Sequence, residues 1–232
     1  MKAIVFDSGP IINLAMNNIL WLIEPLKKQF KGQFIIGRRV KKELIDYPLE
    51  KTKKFQFEAL QTLKLVEKKL LTVFPEKDFD LENKLFELFN SVFIIKGRPL
   101  KVVHGGEVEA IAIAIKTGSN VVAIDERTTR LILEEPKVMA RLFERKLHSK
   151  IKINQKALNE LQSLTKNVRM IRSMELVIYA YEKGLLDRYK PDSLKNPKKT
   201  LLHALVWGIK LHGCSITVKD MDEIMNIEAK RR

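Results

Sequence analysis

The chain has 232 residues, of which 45% are hydrophobic and 31% are charged. This length fits one large domain, or a domain with an appendage, and the apolar fraction is enough to build a core, which excludes a disordered chain. The single cysteine, Cys214, excludes a disulfide framework and a cysteine-based zinc site. The chain contains neither a signal-peptide pattern nor the roughly 18 unbroken apolar residues of a membrane span, so we expect a soluble, cytoplasmic protein.

The charge of the chain is strongly unbalanced. Lysine and arginine number 43 against 28 acidic residues, which gives a net charge of +15. A positive field of this size attracts polyanions, above all nucleic acid and then an acidic membrane surface. A thermophilic composition would explain the number of charges but not their imbalance. We therefore favour a nucleic acid as the partner.

Short apolar runs alternate with helical patterns along the chain. The first run, residues 3–6, is rich in β-branched residues and predicts a buried parallel strand. Pro10 then favours a helix over about residues 11–22, capped by Ser8 or Gly9. Strands that alternate with helices predict an α/β fold with a mainly parallel sheet of about five strands, flanked by helices. Further strands are predicted at 34–36, 71–74, 121–124 and 169–172, and further helices at 52–70, 79–90, 107–117 and 173–184.

Two segments lie outside this alternation. Residues 134–166 read as a helical, lysine-rich insert, and residues 190–199 resemble a linker. We therefore divide the chain into a main domain, residues 1–189, and a helical C-terminal tail, residues 190–232. In the tail we expect a helix near 198–212 and a second, short one, which Thr217 and Asp220 would open as a weak capping box.

Four acidic residues stand where the fold would bring them together. Asp7 and Asp125 directly follow apolar strands, Glu43 comes one helical turn after another, and Glu107 opens a buried helix behind two glycines. In an open parallel sheet, ligands bind outside the carboxyl ends of the strands, so all four could face one cleft. Each acid alone is explained as a helix cap, a dipole partner or a solvated charge. Such a cluster repels itself, and a hard divalent cation such as Mg²⁺ or Mn²⁺ would relieve it.

The order of these motifs resembles that of PIN domains. Residues 4–15 (IVFDSGPIINLA) look like the opening of the prokaryotic branch of that family, and residues 40–44 (VKKEL) are similar to its second motif. Residues 106–114 (GEVEAIAIA) and 121–125 (VVAID) resemble the third and fourth motifs. Residues 172–186 look like the last core helix, and residues 201–225 resemble the helical tail. The middle of the chain, about residues 50–100, and the insert have no counterpart.

The resemblance implies a PIN-like α/β fold and a divalent-metal-dependent ribonuclease that hydrolyses RNA phosphodiesters. By position, Asp7, Glu43, Glu107 and Asp125 become its catalytic and metal-binding quartet, with Mg²⁺ or Mn²⁺ as the cofactor. Ser8 stands where the family often has a hydroxyl near the metal, and Thr128 or Thr129 would do the same beside Asp125. The chain departs from the family pattern at Gly9, and it offers Glu109 and Glu126 as competing acids.

The implied mechanism follows from the charges. A cation held by the quartet would lower the pKa of a bound water and neutralise charge on the phosphate, with Glu43 as the candidate proton acceptor. His104, before the glycine pair, is a candidate to touch substrate. Basic residues near the acids in sequence are candidates to hold the RNA backbone: Arg38, Arg39, Lys41, Lys42, Arg127 and Arg130.

Other functions compete with a nuclease as the reading of this sequence. A haloacid-dehalogenase-type phosphatase needs a second aspartate where Gly9 stands, and a P-loop ATPase needs a glycine-rich loop that is absent from the sequence. A non-catalytic PIN-like protein that binds RNA or regulates a partner stays open. A toxin with an antitoxin-like protein partner ranks lower, because the chain is long for that class. A homodimer is also open, since Leu201, Leu202, Leu205 and Trp207 would serve either dimer contact or, as we prefer, internal packing.

Overall fold

The computed structural model describes residues 1–75 and 79–230. Its centre is a five-stranded sheet in the order β3-β2-β1-β6-β8, in which every pair of neighbouring strands is parallel. Helices flank this sheet, which confirms the predicted α/β fold class. The strands are β1 (Ala3–Phe6), β2 (Gln33–Ile36), β3 (Thr72–Val73), β4 (Phe93–Ile95), β5 (Arg98–Pro99), β6 (Val121–Ala123), β7 (Ile151–Ile153) and β8 (Arg169–Ile171).

Helices make up most of the remaining chain. None of those that the structure describes combines the length and the apolarity needed to cross a membrane. They are α1 (Ser8–Met16), α2 (Ile23–Phe30), α3 (Arg38–Lys41), α4 (Tyr47–Lys51), α5 (Gln56–Glu67), α6 (Phe79–Phe89), α7 (Gly105–Thr117), α8 (Arg127–Glu134), α9 (Pro136–Leu147), α10 (Gln155–Thr165), α11 (Ser173–Glu182), α12 (Pro197–Leu211) and α13 (Val218–Lys230). Short 3₁₀ turns cover Leu20–Leu22 and Asp187–Tyr189, and a π-helical segment, Lys42–Asp46, joins α3 to α4.

The sheet divides the apolar core into two layers. Alternate residues of β1 point to opposite faces, so Ile4 and Phe6 join one cluster while Ala3 and Val5 join the other. The first cluster includes residues of α1, α2, α11 and α12, and the second includes residues of α6, α7, α8 and α10. Because both faces are covered, every residue of β1 is buried, which is why the strand reads as an unbroken apolar run.

The first predicted helix is shorter than its pattern indicated. Helix α1 ends at Met16, and Asn18 adopts a left-handed conformation with a φ of 57° before the 3₁₀ turn begins. The cap is also one residue earlier than expected, because Asp7 rather than Ser8 or Gly9 precedes the first turn and accepts from the backbone N–H of Gly9. The acid at the end of β1 is therefore part of the start of α1.

A second, smaller sheet was not predicted. Strand β4 pairs antiparallel with β5 and with β7, so the insert at residues 134–166 contains a strand between helices α9 and α10. The sequence offered only the three residues Ile151-Lys152-Ile153 as a signal. Their partner β4 lies more than fifty residues earlier in the chain. A pairing over that separation leaves no local pattern to read.

The C-terminal tail packs on the main domain. Leu201 and Leu202 of α12 are buried in the same cluster as β1, which confirms the internal packing expected for them, whereas Trp207 is 37% exposed. The predicted capping box is present, because the Thr217 hydroxyl accepts from the backbone N–H of Asp220 and the Asp220 carboxylate accepts from that of Thr217. The helix that it opens, α13, has 13 residues and is longer than expected.

Glu109 joins α7 to the start of α3. It is 9% exposed, and its carboxylate oxygens accept from the backbone N–H groups of Arg38, at 3.0 Å, and Arg39, at 2.9 Å. Gly37 leaves room for this carboxylate, since a Cβ at position 37 would lie 2.1 Å from Glu109 Oε2. One of the two competing acids of the sequence thus satisfies the free end of a short helix.

We expect Gly37→Ala and Glu109→Ala to act through the same contact. Each should lower the free energy of unfolding by about 1–3 kcal/mol, because two partly buried backbone N–H groups lose a charged acceptor. The double variant should lose clearly less than the sum of the two, since the alanine at 37 then meets no carboxylate. Urea denaturation measures all three, with exposed Glu134→Ala as the control. Additive losses would contradict the contact.

Candidate active site

A polar pocket of about 530 Å³ opens at the carboxyl ends of β1 and β2. This is the edge at which parallel sheets bind ligands, and the sequence placed its acids there. The residues that line it come from the β1–α1 turn, from α3 with the π-helical segment and α4, and from the start of α7. We call it the acidic pocket, and its lining is Asp7, Ser8, Arg39, Lys42, Glu43, Tyr47, His104, Gly105, Gly106 and Glu107.

Asp7 is the buried centre of the acidic pocket. Its backbone N–H donates to the carbonyl of Ala123 in β6, which fixes it at the sheet edge, and its side chain is only 7% exposed. Burial is the main cause that raises the pKa of Asp7 from 3.8 to about 7, and the charge of Glu107, followed by that of Glu43, adds to it. Asp7 therefore keeps its proton to a much higher pH than an ordinary aspartate.

Glu107 reaches the acidic pocket from the first turn of α7. Its Oε2 atom accepts from the hydroxyl of the fully buried Thr129, at 2.5 Å. Burial raises the pKa of Glu107, and the charges of Glu126 and Glu43 contribute further. Of the two threonines that the sequence left open, Thr129 is the one that contacts an acid of the site.

Glu43 lies on the π-helical segment and faces Ser8. The Ser8 hydroxyl donates to Glu43 Oε1 at 3.0 Å, so the predicted hydroxyl does stand among the acids. The N–H of Tyr47 donates to the carbonyl of Lys42, five residues back, which is the widened turn of a π-helix. Such single turns occur frequently at functional sites, and this one places Glu43 and Tyr47 in the same pocket.

Asp125 lies at the same sheet edge, but its carboxylate is directed elsewhere. Its Oδ1 accepts from the backbone N–H of Ser173, and its Oδ2 accepts from the Ser173 hydroxyl, both at 2.7 Å. The side chain of Asn13 donates to Oδ2 at 3.3 Å, and the thiol of Cys214 donates as well. Three acids of the quartet therefore line one pocket. The fourth, Asp125, is hydrogen-bonded to residues of α1, α11 and the tail.

Gly9 lies between the two aspartates. A Cβ at this position would come within 3.3 Å of Asp125 Cβ and 3.6 Å of Asp7 Oδ2. The surroundings of Gly9 are therefore tight on the side of Asp125. The partners of Asp125, namely Asn13, Ser173 and Cys214, were missed because no pattern links residues so far apart in sequence.

The donor set of the acidic pocket fits a hard cation in its chemistry. Asp7, Glu43 and Glu107 offer only carboxylate oxygens, and Mg²⁺ takes such ligands, usually one or two of them with several waters. Within residues 1–75 and 79–230, no three histidine, cysteine, aspartate or glutamate side chains are close enough to form a ready-made metal site. Asp7 and Glu107, the two buried acids of the pocket, are the ligands that a hydrated cation would use, with the exposed Glu43 beside them.

Two of the predicted basic residues lie at the acidic pocket. Lys42 is exposed at its rim, and Arg39 lines it while its guanidinium pairs with Glu82, at 2.7 Å. His104, directly before α7, also lines the pocket. These are the side chains available to contact an anionic substrate.

The remaining predicted contacts lie elsewhere. Arg38 donates to the carbonyl of Pro75, and Arg127 and Thr128 open α8, where the exposed Glu126 accepts from the N–H of Thr128. In the described part of the chain, the lining of the acidic pocket includes none of these three predicted residues. Glu126, the second competing acid, serves as the cap of a helix.

The raised pKa of Asp7 predicts an unusual dependence of stability on pH. Between about pH 4 and 7 the folded chain holds a proton that the unfolded chain has released, so the free energy of unfolding falls as pH rises through this range. We expect Asp7→Asn to be more stable than the wild type at pH 8, by on the order of 1 kcal/mol, or about 2–4 °C in Tm. Melting curves in a chelator measure this, with exposed Asp192→Asn as the control. A lower Tm for Asp7→Asn at pH 8 would contradict the assignment.

Ser173→Ala should act in the opposite direction. Removal of the hydroxyl leaves the buried Asp125 with one donor fewer, so we expect a loss of about 1–2 kcal/mol where Asp125 is ionised. Burial raises the pKa of Asp125 and the Ser173 hydrogen bonds offset part of that rise, so the loss should shrink as the pH falls and Asp125 takes up a proton. Ser163→Ala, in an exposed position of α10, is the matched control. A loss that is constant with pH would contradict the argument.

Comparison with known proteins does not assign the chain to a family. No protein-family model matches the sequence, and neither curated proteins nor solved structures give a significant match. The fold and the acidic pocket are therefore the observations from which a function has to be argued.

Proposed function

We propose that the chain is a PIN-like, divalent-metal-dependent endoribonuclease, with RNA as its partner and the cytoplasm as its place of action. The observation that carries the proposal is the acidic pocket itself. Three carboxylates from distant parts of the chain, Asp7, Glu43 and Glu107, share one cleft at the carboxyl edge of a parallel sheet. The burial of Asp7, and then the charges of Glu107 and of the exposed Glu43, raise the pKa of Asp7, and perturbed acids of this kind cluster at functional sites.

Charge supports RNA as the substrate class. The net charge of +15 favours a polyanion, while the acids within the pocket would repel a phosphate unless a cation lay between them. Lys42 and Arg39 at the pocket lining supply positive charge for the backbone on either side. A homodimer and an antitoxin-like protein partner stay predictions from the resemblance alone.

Each residue of the acidic pocket would have a separate role in hydrolysis. A bound Mg²⁺ or Mn²⁺ supplies an activated water and neutralises charge on the phosphate. Asp7 and Glu107 would hold that ion, and the hydrogen bond from Thr129 fixes the direction of the Glu107 carboxylate. Glu43, oriented by Ser8, would accept the proton of the attacking water.

A non-catalytic RNA-binding or regulatory protein is the second candidate. One specific observation favours it, because Asp125 makes hydrogen bonds to Ser173 and Asn13 rather than completing the quartet in the pocket. Such a protein would keep the basic rim of the pocket and its affinity for RNA without cutting it.

Cleavage of mixed single-stranded RNA in Mn²⁺ or Mg²⁺ tests the nuclease. We expect cleavage by the wild type that a chelator abolishes, and a loss of at least about 100-fold in Asp7→Asn and Glu107→Gln, because both remove cation ligands. Asp192→Asn is the control and should cut like the wild type.

A binding measurement separates the two candidates. Mn²⁺ should raise the Tm of the wild type but not that of Asp7→Asn, since a ligand of the folded state stabilises it by mass action. Equal cleavage by wild type and Asp7→Asn would contradict the nuclease. An absence of cleavage with retained RNA binding would favour the non-catalytic protein.

A further inference from the structure

A second pocket, of about 350 Å³, adjoins the acidic one. We call it the apolar pocket, because α1 contributes Ile11, Ile12 and Met16 to its wall and α4 contributes Pro48. Glu43 and Tyr47 line both pockets, so the two cavities share one wall. An apolar cavity of this size with few polar groups is typical of a ligand site.

Two aromatic side chains stand in the wall of the apolar pocket. Tyr47 is 55% exposed and Phe55 is 54% exposed, although large aromatic rings are usually covered by the protein. Phe55 also has a φ of 64°, a left-handed conformation that is uncommon for a bulky residue. The loop before it is held by Thr52, whose hydroxyl accepts from the N–H of Lys54 and whose carbonyl accepts from Gln56.

We propose that the apolar pocket is a nucleobase subsite, in which Tyr47 and Phe55 contact a base of the RNA next to the phosphate in the acidic pocket. This inference rests on the proposed function and adds to it a determinant of substrate binding. A nucleotide joins an anionic phosphate to a flat aromatic base through one sugar. Two adjoining pockets, one charged and one apolar with aromatic walls, match those two parts.

The contacts favour RNA over an apolar protein segment as the occupant. An amphipathic helix would fill an isolated groove, but this pocket shares Glu43 and Tyr47 with the site where the phosphate is placed. Lys54 lines the apolar pocket together with Glu58, and Lys42 lines the acidic one, so each pocket has a cation that can contact the RNA backbone. Stacking on aromatic rings accepts any base, so the subsite predicts affinity for single strands rather than a strict sequence preference.

Binding to labelled RNA tests the subsite. In a Glu43→Gln background with Mn²⁺, which keeps the cation ligands Asp7 and Glu107 but removes the proposed proton acceptor, fluorescence anisotropy at fixed salt would follow single-stranded RNA of about 12 nucleotides. An abasic strand of the same length and charge is measured beside it. We expect Tyr47→Ala and Phe55→Ala each to weaken binding of the base-bearing RNA about 5–100-fold and to leave the abasic strand unchanged.

Two further variants control the measurement. Tyr47→Phe keeps the ring and should retain the affinity, and Phe57→Ala, a 68% exposed phenylalanine outside the lining of the apolar pocket, should bind like the parent. Melting temperatures within a few degrees of the parent confirm that each variant is folded.

The outcomes separate this inference from the function on which it rests. A wild type that neither binds nor cuts RNA overturns the proposed function and the subsite with it. A wild type that cuts RNA, while Tyr47→Ala and Phe55→Ala bind both strands like the parent, overturns the subsite alone and leaves the apolar pocket to a protein segment. Equal losses for base-bearing and abasic strands also overturn it, because they would indicate a backbone contact.

Discussion

Two carboxylates of the acidic pocket, Asp7 and Glu107, are buried, and burial opposes the ionisation of both, with the exposed Glu43 adding its charge. Of the acids in this pocket, Asp7 has the most strongly raised pKa, about 7. The hydroxyls of Ser8 and Thr129 and the backbone N–H of Gly9 are among the groups that donate to these acids, and they orient the carboxylates without adding a positive charge. The fold thus maintains a local excess of negative charge on a chain whose net charge is strongly positive, and a cation is the species that would relieve it.

Two acids of α7, Glu107 and Glu109, contact different parts of the molecule. Glu107 and Glu109 stand two residues apart on a helix, a spacing that directs their side chains to different neighbours. Glu107 faces the acidic pocket, whereas Glu109 satisfies the free N–H groups at the start of α3. That contact fixes the segment from which Glu43 projects only a few residues later. The geometry of the pocket therefore depends on an acid that does not line it.

The sequence predicts those features that local patterns determine. Apolar runs and their turn residues located all five strands of the main sheet, and the acids at strand ends located the edge where Asp7, Glu43 and Glu107 meet. The π-helical turn could not be predicted, because no local residue pattern distinguishes it from an ordinary α-helical turn. The direction of the Asp125 carboxylate could not be predicted either, since it is set by Ser173, which lies 48 residues away in the chain.

The tail is separate in sequence but not in its contacts. The N–H of Ser215 donates to the Asp125 carbonyl, and the Asn13 side chain joins the Asp125 carboxylate to the carbonyl of Ile209 in α12. Burial raises the pKa of Cys214 to about 12, so its thiol keeps its proton and serves Asp125 as a donor rather than as a nucleophile. One side of the sheet edge is therefore occupied by α11 and the tail, while the side at Asp7 stays open to the acidic pocket. In the proposed function, a cation and a phosphate would enter from the side at Asp7, because α11 and the tail cover the side at Asp125.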